Sequence, residues 1–324
     1  MGTNGASMTY SGQPEDYSVA VLYGGTSGER EISLKSGAAC AEALAELGFS
    51  VQLIDTQDYE QLKRLIEESF DVAFLALHGK GGEDGTVQGF LETIGLPYTG
   101  SGILASALAV NKARAKESYE RAGLLVAPSV TVGRDDPLDE GFLDECIDIC
   151  GMPCVVKPTT EGSSLGMTIV RDATDLRKGI ETALSVDVEA MIEGFIEGTE
   201  LTVGVMGNDD PVALPVIQIV PTEDEFYNFH AKYAQGGSRH LCPAPLSPEL
   251  TESVQELAVA AHSVLGCRGI SRTDIMVDAE NRCWVLETNT LPGMTGTSLV
   301  PDAARVAGMG FSRVCERLIE LALE

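Results

Sequence analysis

The sequence predicts an α/β protein, and three observations lead there. The first hundred residues alternate short apolar runs with amphipathic stretches in the order strand, helix, strand, helix, strand. A later stretch, Ile270 to Thr297 (ISRTDIMVDAENRCWVLETNTLPGMTGT), reads as two apolar runs around a polar turn followed by a Gly- and Thr-rich loop. The chain has 324 residues with 44% hydrophobic and 22% charged side chains, enough globular material for about two domains.

The N-terminal unit begins with Tyr17 to Gly25 (YSVAVLYGG), an apolar run ending in glycines, as expected of a buried parallel strand. The spacing then predicts a helix from Glu31 to Leu47, a strand from Val51 to Asp55, a helix from Tyr59 to Glu68 and a strand from Val72 to Leu77. Such a βαβαβ unit makes a parallel sheet with right-handed connections, and ligands gather at the carboxyl ends of its strands. Two loops lie there: GGTSGER, with Glu29 and Arg30, and HGKGGEDGT, with His78. Glu29 reads equally as a helix-start residue or a ligand contact, and His78 as a structural histidine or a functional one. The first loop lacks the GxGxxG fingerprint, and no GxxxxGK[ST] occurs, which excludes a P-loop ATPase.

Thr86 to Ile94 predicts a helix stopped by Gly95 and Pro97, and Gly102 to Gly123 more helix, with a domain boundary near Gly100 to Gly102. Within it Lys112, Arg114 and Lys116 form a rare basic cluster. Cys154 to Pro158 is a strand with Lys157 inside its apolar run, and a buried lysine usually reaches a charged partner. EGSSLG follows, before a strand at Met167 to Val170; alone it reads as an exposed hairpin tip, but beside Lys157 its backbone N–H groups and hydroxyls suit phosphate oxygens. Ala190 to Phe195 and Leu201 to Met206 are further strands. The long polar, aromatic stretch Phe226 to Pro245 reads as a functional or disordered loop containing Lys232 and Tyr233. Ser247-Pro248 opens a helix to Leu265, and the chain ends on a helix with Val314, Leu318 and Leu321 on one face.

In the Ile270 to Thr297 stretch, period-2 spacing puts Arg272, Asp274 and Met276 on one face, and Val285, Glu287 and Asn289 on one face of the second run. A turn at Ala279 to Arg282 would pair Asp274 with Glu287 and Arg272 with Asn289. Carboxylates among Ile, Val, Leu and Trp need partners. A hard cation shared with phosphates would serve, and so would an ordinary salt-bridged polar face; the hairpin alone leaves both open.

A net charge of −27 argues against a nucleic-acid partner and requires any polyanion site to concentrate the 22 Lys and Arg residues. No run approaches ~18 apolar residues, so no membrane association is expected. Residues 1–16 are polar and Gly/Ser-rich, predicting a disordered leader and, by default, the cytoplasm. The eight cysteines contain no CxxC pair; Cys146, Cys150 and Cys154 have helical spacing broken by Pro153, and all read as core residues of a reducing compartment.

GGTSGEREIS, LHGKGGEDGTVQG, PYTGSG, VVKPTTEGSSLGM, the Lys232-Tyr233 loop, SRTD and LETNTLPGMT follow one another from about Tyr17 to the C-terminus. In this order they resemble the bacterial D-alanine–D-alanine ligases, which are ATP-grasp enzymes. The resemblance implies a parallel βαβ N-terminal domain and two α+β subdomains clasping ATP. The expected division is a leader at 1–16, a substrate domain at 17–101, a central ATP-grasp subdomain at 102–194 and a catalytic one at 195–324. It implies that Lys112 and Lys157 hold ATP phosphates, that Glu193 with Phe195 and Ile196 meets the adenine, that Glu200 meets the ribose, and that Ser164 and Tyr227 also bind ATP. Asp274, Glu287 and Asn289 would bind two Mg²⁺ ions, replaceable by Mn²⁺, with a monovalent cation as a further ligand. Glu29 would take the ammonium of the first D-alanine with His78 nearby, and Ser163 and Tyr233 would link to Glu29. Arg272 and the Gly293 N–H would face the oxyanion, and Lys232, Ser298 and Leu299 the second substrate.

The same resemblance implies a homodimer and synthesis of D-alanyl-D-alanine through an acyl phosphate. D-alanine–D-lactate and D-alanine–D-serine ligases share nearly every motif, and a non-catalytic nucleotide-binding module is the alternative from another class. A Lys-Tyr pair at 232–233 goes with the peptide-forming members. One departure is Gly194, where the family often has lysine.

Overall fold

A computed structural model describes residues 10–162, 165–221 and 238–324. Three sheets organise them. The first is parallel: β1 (Ser18–Tyr23) lies between β2 (Ser50–Asp55) and β3 (Val72–Leu75), as the N-terminal pattern requires. Helices α1 (Arg30–Glu46), α2 (Tyr59–Glu67) and α3 (Thr86–Ile94) connect and cover it. Gly24 and Gly25, both at positive φ, turn the chain out of β1. Buried Ser33 of α1 then fastens two strand ends, accepting from the Gly24 N–H at 2.8 Å and donating to the Ala76 carbonyl at 2.6 Å.

The helical stretch expected over Gly102 to Gly123 is two helices, α4 (Ile103–Val110) and α5 (Lys112–Arg121). Asn111 separates them: its backbone is extended, and its side chain caps α5 by accepting from the Arg114 N–H at 3.0 Å. The second sheet runs in the order β4 (Ser129–Gly133), β7 (Glu189–Gly194), β5 (Cys154–Pro158), β6 (Thr168–Val170), all antiparallel. Helices α6 (Glu140–Cys150) and α7 (Leu176–Leu184) bury Val132, Cys146, Val156, Leu176, Ile180 and Ile192 against one face. Helix α6 ends at Gly151, so Cys154 joins this core from a strand. All eight cysteines are free thiols.

The third sheet contains β8 (Thr199–Met206), the short β9 (Val212–Ala213), β10 (Ile217–Pro221), β11 (Ser238–Leu241), β12 (Ile270–Val277) and β13 (Cys283–Asn289). Its order is β11-β10-β8-β12-β13 with β9 on β8, and α8 (Pro248–Leu265), capped by Ser247, packs behind it. Helices α9 (Leu299–Val306) and α10 (Phe311–Leu323) return the C-terminus to α1, where Val314, Leu318 and Leu321 join the largest core.

The β12–β13 hairpin has the expected register, Arg272 opposite Asn289 and Asp274 opposite Glu287. The strict alternation expected for Val285, Glu287 and Asn289 fails, because the register slips between Asp274 and Ile275. Ile275 pairs with Val285, leaving Leu286 as the extra residue. This bulge sends Val285 into the core behind while Leu286 and Glu287 both face the cavities in front. Residues 10–16, where no structure was expected, are ordered. A 3-10 turn spans Pro14–Asp16, and Tyr10 lies 5.2 Å from the Tyr17 ring while its hydroxyl donates to Glu316.

Candidate active site

A cavity of about 1090 Å³ draws its walls from all three sheets. The parallel sheet contributes Glu29 and His78 from the carboxyl ends of its strands, as the topology predicts. Glu29 sits at the N-cap of α1, and its carboxylate lies against Gly79 and Gly162, where a Cβ would come within 3.0 Å and 3.6 Å of Oε2. Those glycines therefore let two loops close on one carboxylate. His78 is oriented at both ring nitrogens, with Ser36 Oγ 3.1 Å from Nε2 and Glu83 Oε1 3.6 Å from Nδ1. Neither Ser36 nor Glu83 was singled out from sequence; Glu83 stands in the HGKGGEDGT loop, and Ser36 needed the helix packing to be found.

The opposite wall is the third sheet. Register places Thr202, Asp274 and Glu287 side by side on three adjacent strands. Arg272 grips Asp274 through Nε and Nη2, each at 2.9 Å, and the Thr202 hydroxyl donates to Asp274 Oδ1 at 2.6 Å. The guanidinium fork thus has a fixed geometry. Glu287 Oε2 lies 3.4 Å from Lys112 Nζ, which also donates to the Glu161 carbonyl at 2.9 Å. Behind this row, the Tyr119 hydroxyl donates to Thr288 at 2.7 Å and Thr273 lies 3.0 Å from the same oxygen, so the floor is hydrogen-bonded. Asn289 completes the rim, with its Oδ1 accepting from the Leu291 N–H at 2.9 Å. Gly293 follows close against Ser298 Oγ, and Ser298 and Leu299 start α9 on the cavity wall. Among the described residues no three His, Cys, Asp or Glu side chains converge as a metal cage.

A smaller cavity of about 160 Å³ adjoins this wall, lined by Lys157, Glu193, Phe195, Ile196, Glu200, Met276 and Leu286. Glu193 lines this cavity beside Phe195 and Ile196, the neighbours expected with it around the adenine. Its Oε2 accepts from Lys116 and its Oε1 from Lys157, both at 2.6 Å, so the carboxylate is a counter-ion within the wall. Burial would raise its pKa, but the ammonium groups of Lys157 and Lys116 outweigh burial and hold it down to about 2. Burial also lowers the pKa of Lys116, opposed by Glu193. Helical spacing puts Lys112 and Lys116 on one inward face of α5 and the exposed Arg114 on another, so the three basic residues do not form one cluster. A Cβ on Gly194 would come 2.8 Å from the Cys150 carbonyl oxygen, so the packing of α6 on β7 leaves no room for the lysine that the resemblance would put there. Ser163, Ser164, Tyr227, Lys232 and Tyr233 lie outside the described residues.

Residues 119–320 match the family model for the D-ala D-ala ligase C-terminus, and residues 55–101 that for the N-terminus. The D-alanine--D-alanine ligase of Syntrophobacter fumaroxidans is 50% identical over 313 residues, covering 96% of this chain and 99% of the relative. That of Pelotomaculum thermopropionicum is 45% identical over 310 residues, covering 94% and 96%. The crystal structure of the Bacillus anthracis D-alanine--D-alanine ligase complexed with ATP superposes with a TM-score of 0.82 at 32% identity, covering 95% of this chain and 97% of that one. With sequence and backbone fold in agreement over nearly its whole length, the chain belongs to the D-alanine–D-alanine ligase family.

Proposed function

We propose that this chain joins two D-alanine molecules at the expense of ATP, in the cytoplasm, supplying the dipeptide for peptidoglycan precursors. The observation that carries this reading is the convergence on one cavity of Glu29 and His78, of Lys112, and of the Arg272–Asp274 and Glu287 hairpin.

A carboxylate does not acylate an amine at neutral pH. The first D-alanine carboxylate therefore takes the terminal phosphoryl group of ATP, and ADP leaves. The amine of the second D-alanine, having lost its proton, attacks the carbonyl carbon, and phosphate departs from the tetrahedral intermediate. Each step gathers negative charge on oxygen, which fixed cations and oriented N–H donors stabilise. Arg272, held rigid by Asp274, and the N–H of Gly293 suit the oxyanion. Glu29 suits the ammonium of the first substrate, and Ser298 with Leu299 the carboxylate of the second. Lys112 and Lys157 suit the phosphates, with Phe195 and Ile196 around the base and Glu200 at the ribose.

Asp274, Glu287 and Asn289 present only oxygen donors for a metal, the set a hard cation prefers. Two carboxylates are too few to cage such an ion alone, which fits Mg²⁺ shared with phosphates. Mg²⁺ would neutralise phosphate charge there. Phosphate release from ATP should require both D-alanine and Mg²⁺; release indifferent to D-alanine, or none, would overturn the reading. The expected homodimer is checked by sedimentation of the full chain, where a mass of 34.3 kDa at micromolar concentration would remove it.

A further inference from the structure

In the wall of the smaller cavity two ammonium groups share one carboxylate. Lys116 Nζ lies 2.6 Å from Glu193 Oε2, and Lys157 Nζ lies 2.6 Å from Oε1. Lys116 also donates to the Ala127 carbonyl at 2.9 Å. Lys116 is 4% exposed and Glu193 5%, so solvent screens this cluster little. Two cations and one anion leave a single positive charge, and the geometry decides where it is offered. Lys116 does not line the cavity; it directs its donors to Glu193 and Ala127 inside the wall. Lys157 does line it, and Glu193 is its one salt-bridge partner among the described residues. Glu287, the other carboxylate close enough to influence Lys157, is itself paired with Lys112. With an apolar side chain at 116, Glu193 would serve Lys157 alone, and the wall would be neutral at that point.

We infer that Lys116 is a positioning residue for the nucleotide phosphates: by sharing Glu193 it leaves Lys157 with uncompensated positive charge toward the cavity. It acts through Glu193 and touches no nucleotide. The inference rests on the reading of this cavity as the ATP site. A merely structural Lys116, riveting α5 to the end of β7, makes a different prediction, because loss of a rivet does not distinguish a phosphorylated ligand from an unphosphorylated one.

The test measures affinity for ATP and for adenosine, by calorimetry, in the wild-type chain, K116M, K116R and the double variant K116M/E193Q. K116M should lose about tenfold or more in ATP affinity while adenosine changes by less than about twofold. K116R should retain most ATP affinity. The double variant removes one cation and one anion, restores the single charge at Lys157, and should bind ATP better than K116M does. Parallel losses of ATP and adenosine affinity in K116M, an unchanged ATP affinity, or a double variant weaker than K116M would overturn the inference. Should K116M fail to fold, the double variant decides alone: a wild-type ratio of ATP to adenosine affinity supports the inference and a collapsed ratio overturns it. A wild-type chain without ATP affinity would overturn the ATP reading as well, whereas wild-type binding with an indifferent K116M overturns only the role of Lys116.

Discussion

At the scale of single residues, Glu193 ties the stability of the fold to acid. Its pKa in the native state, about 2, lies below the ordinary 4.5, so between these values the unfolded chain binds more protons than the folded one. The stabilisation from Glu193 is therefore complete above pH 4.5 and is lost as pH falls toward 2. Glu193→Gln leaves two buried ammonium groups without a counter-ion, at a cost of about 3–5 kcal/mol near neutrality. That cost should shrink in acid, where the wild-type carboxylate is itself being protonated. Urea midpoints for both proteins at pH 6 and about pH 3 check this, and a gap that stays constant would mean that Glu193 is not the titrating group. The sequence marked Lys157 as a lysine needing a partner, and Glu193 as an acid at a strand end. It did not say that they were partners, since 36 residues separate them and strand pairing brings them together.

At the scale of elements, local chemistry explains what was legible. Gly95 closes one helix and Ser247-Pro248 opens another, as the punctuation requires. Helices α6 and α7 and strands β4 and β10 carry weaker signals and are not assigned from sequence, and β11 forms inside the stretch Phe226 to Pro245 read as a loop, because short elements take their stability from neighbours. The β12–β13 bulge is of the same kind: pattern alone gives strict alternation, and only pairing shows the extra residue at Leu286. The contact between α6 and β7 yields a prediction. Gly194→Lys forces a Cβ to 2.8 Å from the Cys150 carbonyl, which is backbone and cannot swing aside. We expect a loss of about 1–3 kcal/mol, as for overpacking of a tight site. Chemical denaturation measures it, and an unchanged midpoint would show that α6 moves freely on this sheet.

At the scale of the whole molecule, selectivity depends on how the cavity receives its second substrate. An amine nucleophile arrives as ammonium and must lose its proton in place, so a fixed cation beside it would favour a hydroxy acid instead. On the resemblance of its Lys232-Tyr233 pair, peptide formation is the expected outcome. With D-alanine and D-lactate supplied together near neutral pH, dipeptide should exceed ester. Ester in excess would reassign the subtype while leaving the fold and the phosphoryl chemistry in place.

The parallel βαβαβ unit, the hairpin register that aligns Asp274 with Glu287, and an order of motifs specific enough to name a family are all legible in the amino-acid order. Each of these is written in local spacing, in glycines and prolines at turns, or in short contiguous strings. How charges are shared emerges only once the chain is folded. Lys116 with Lys157 on Glu193, Lys112 with Glu287, and Ser36 with Glu83 around His78 all join residues from separate elements. Coulombic pairing depends on distance and burial, which sheet order and helix packing set and which sequence spacing does not record.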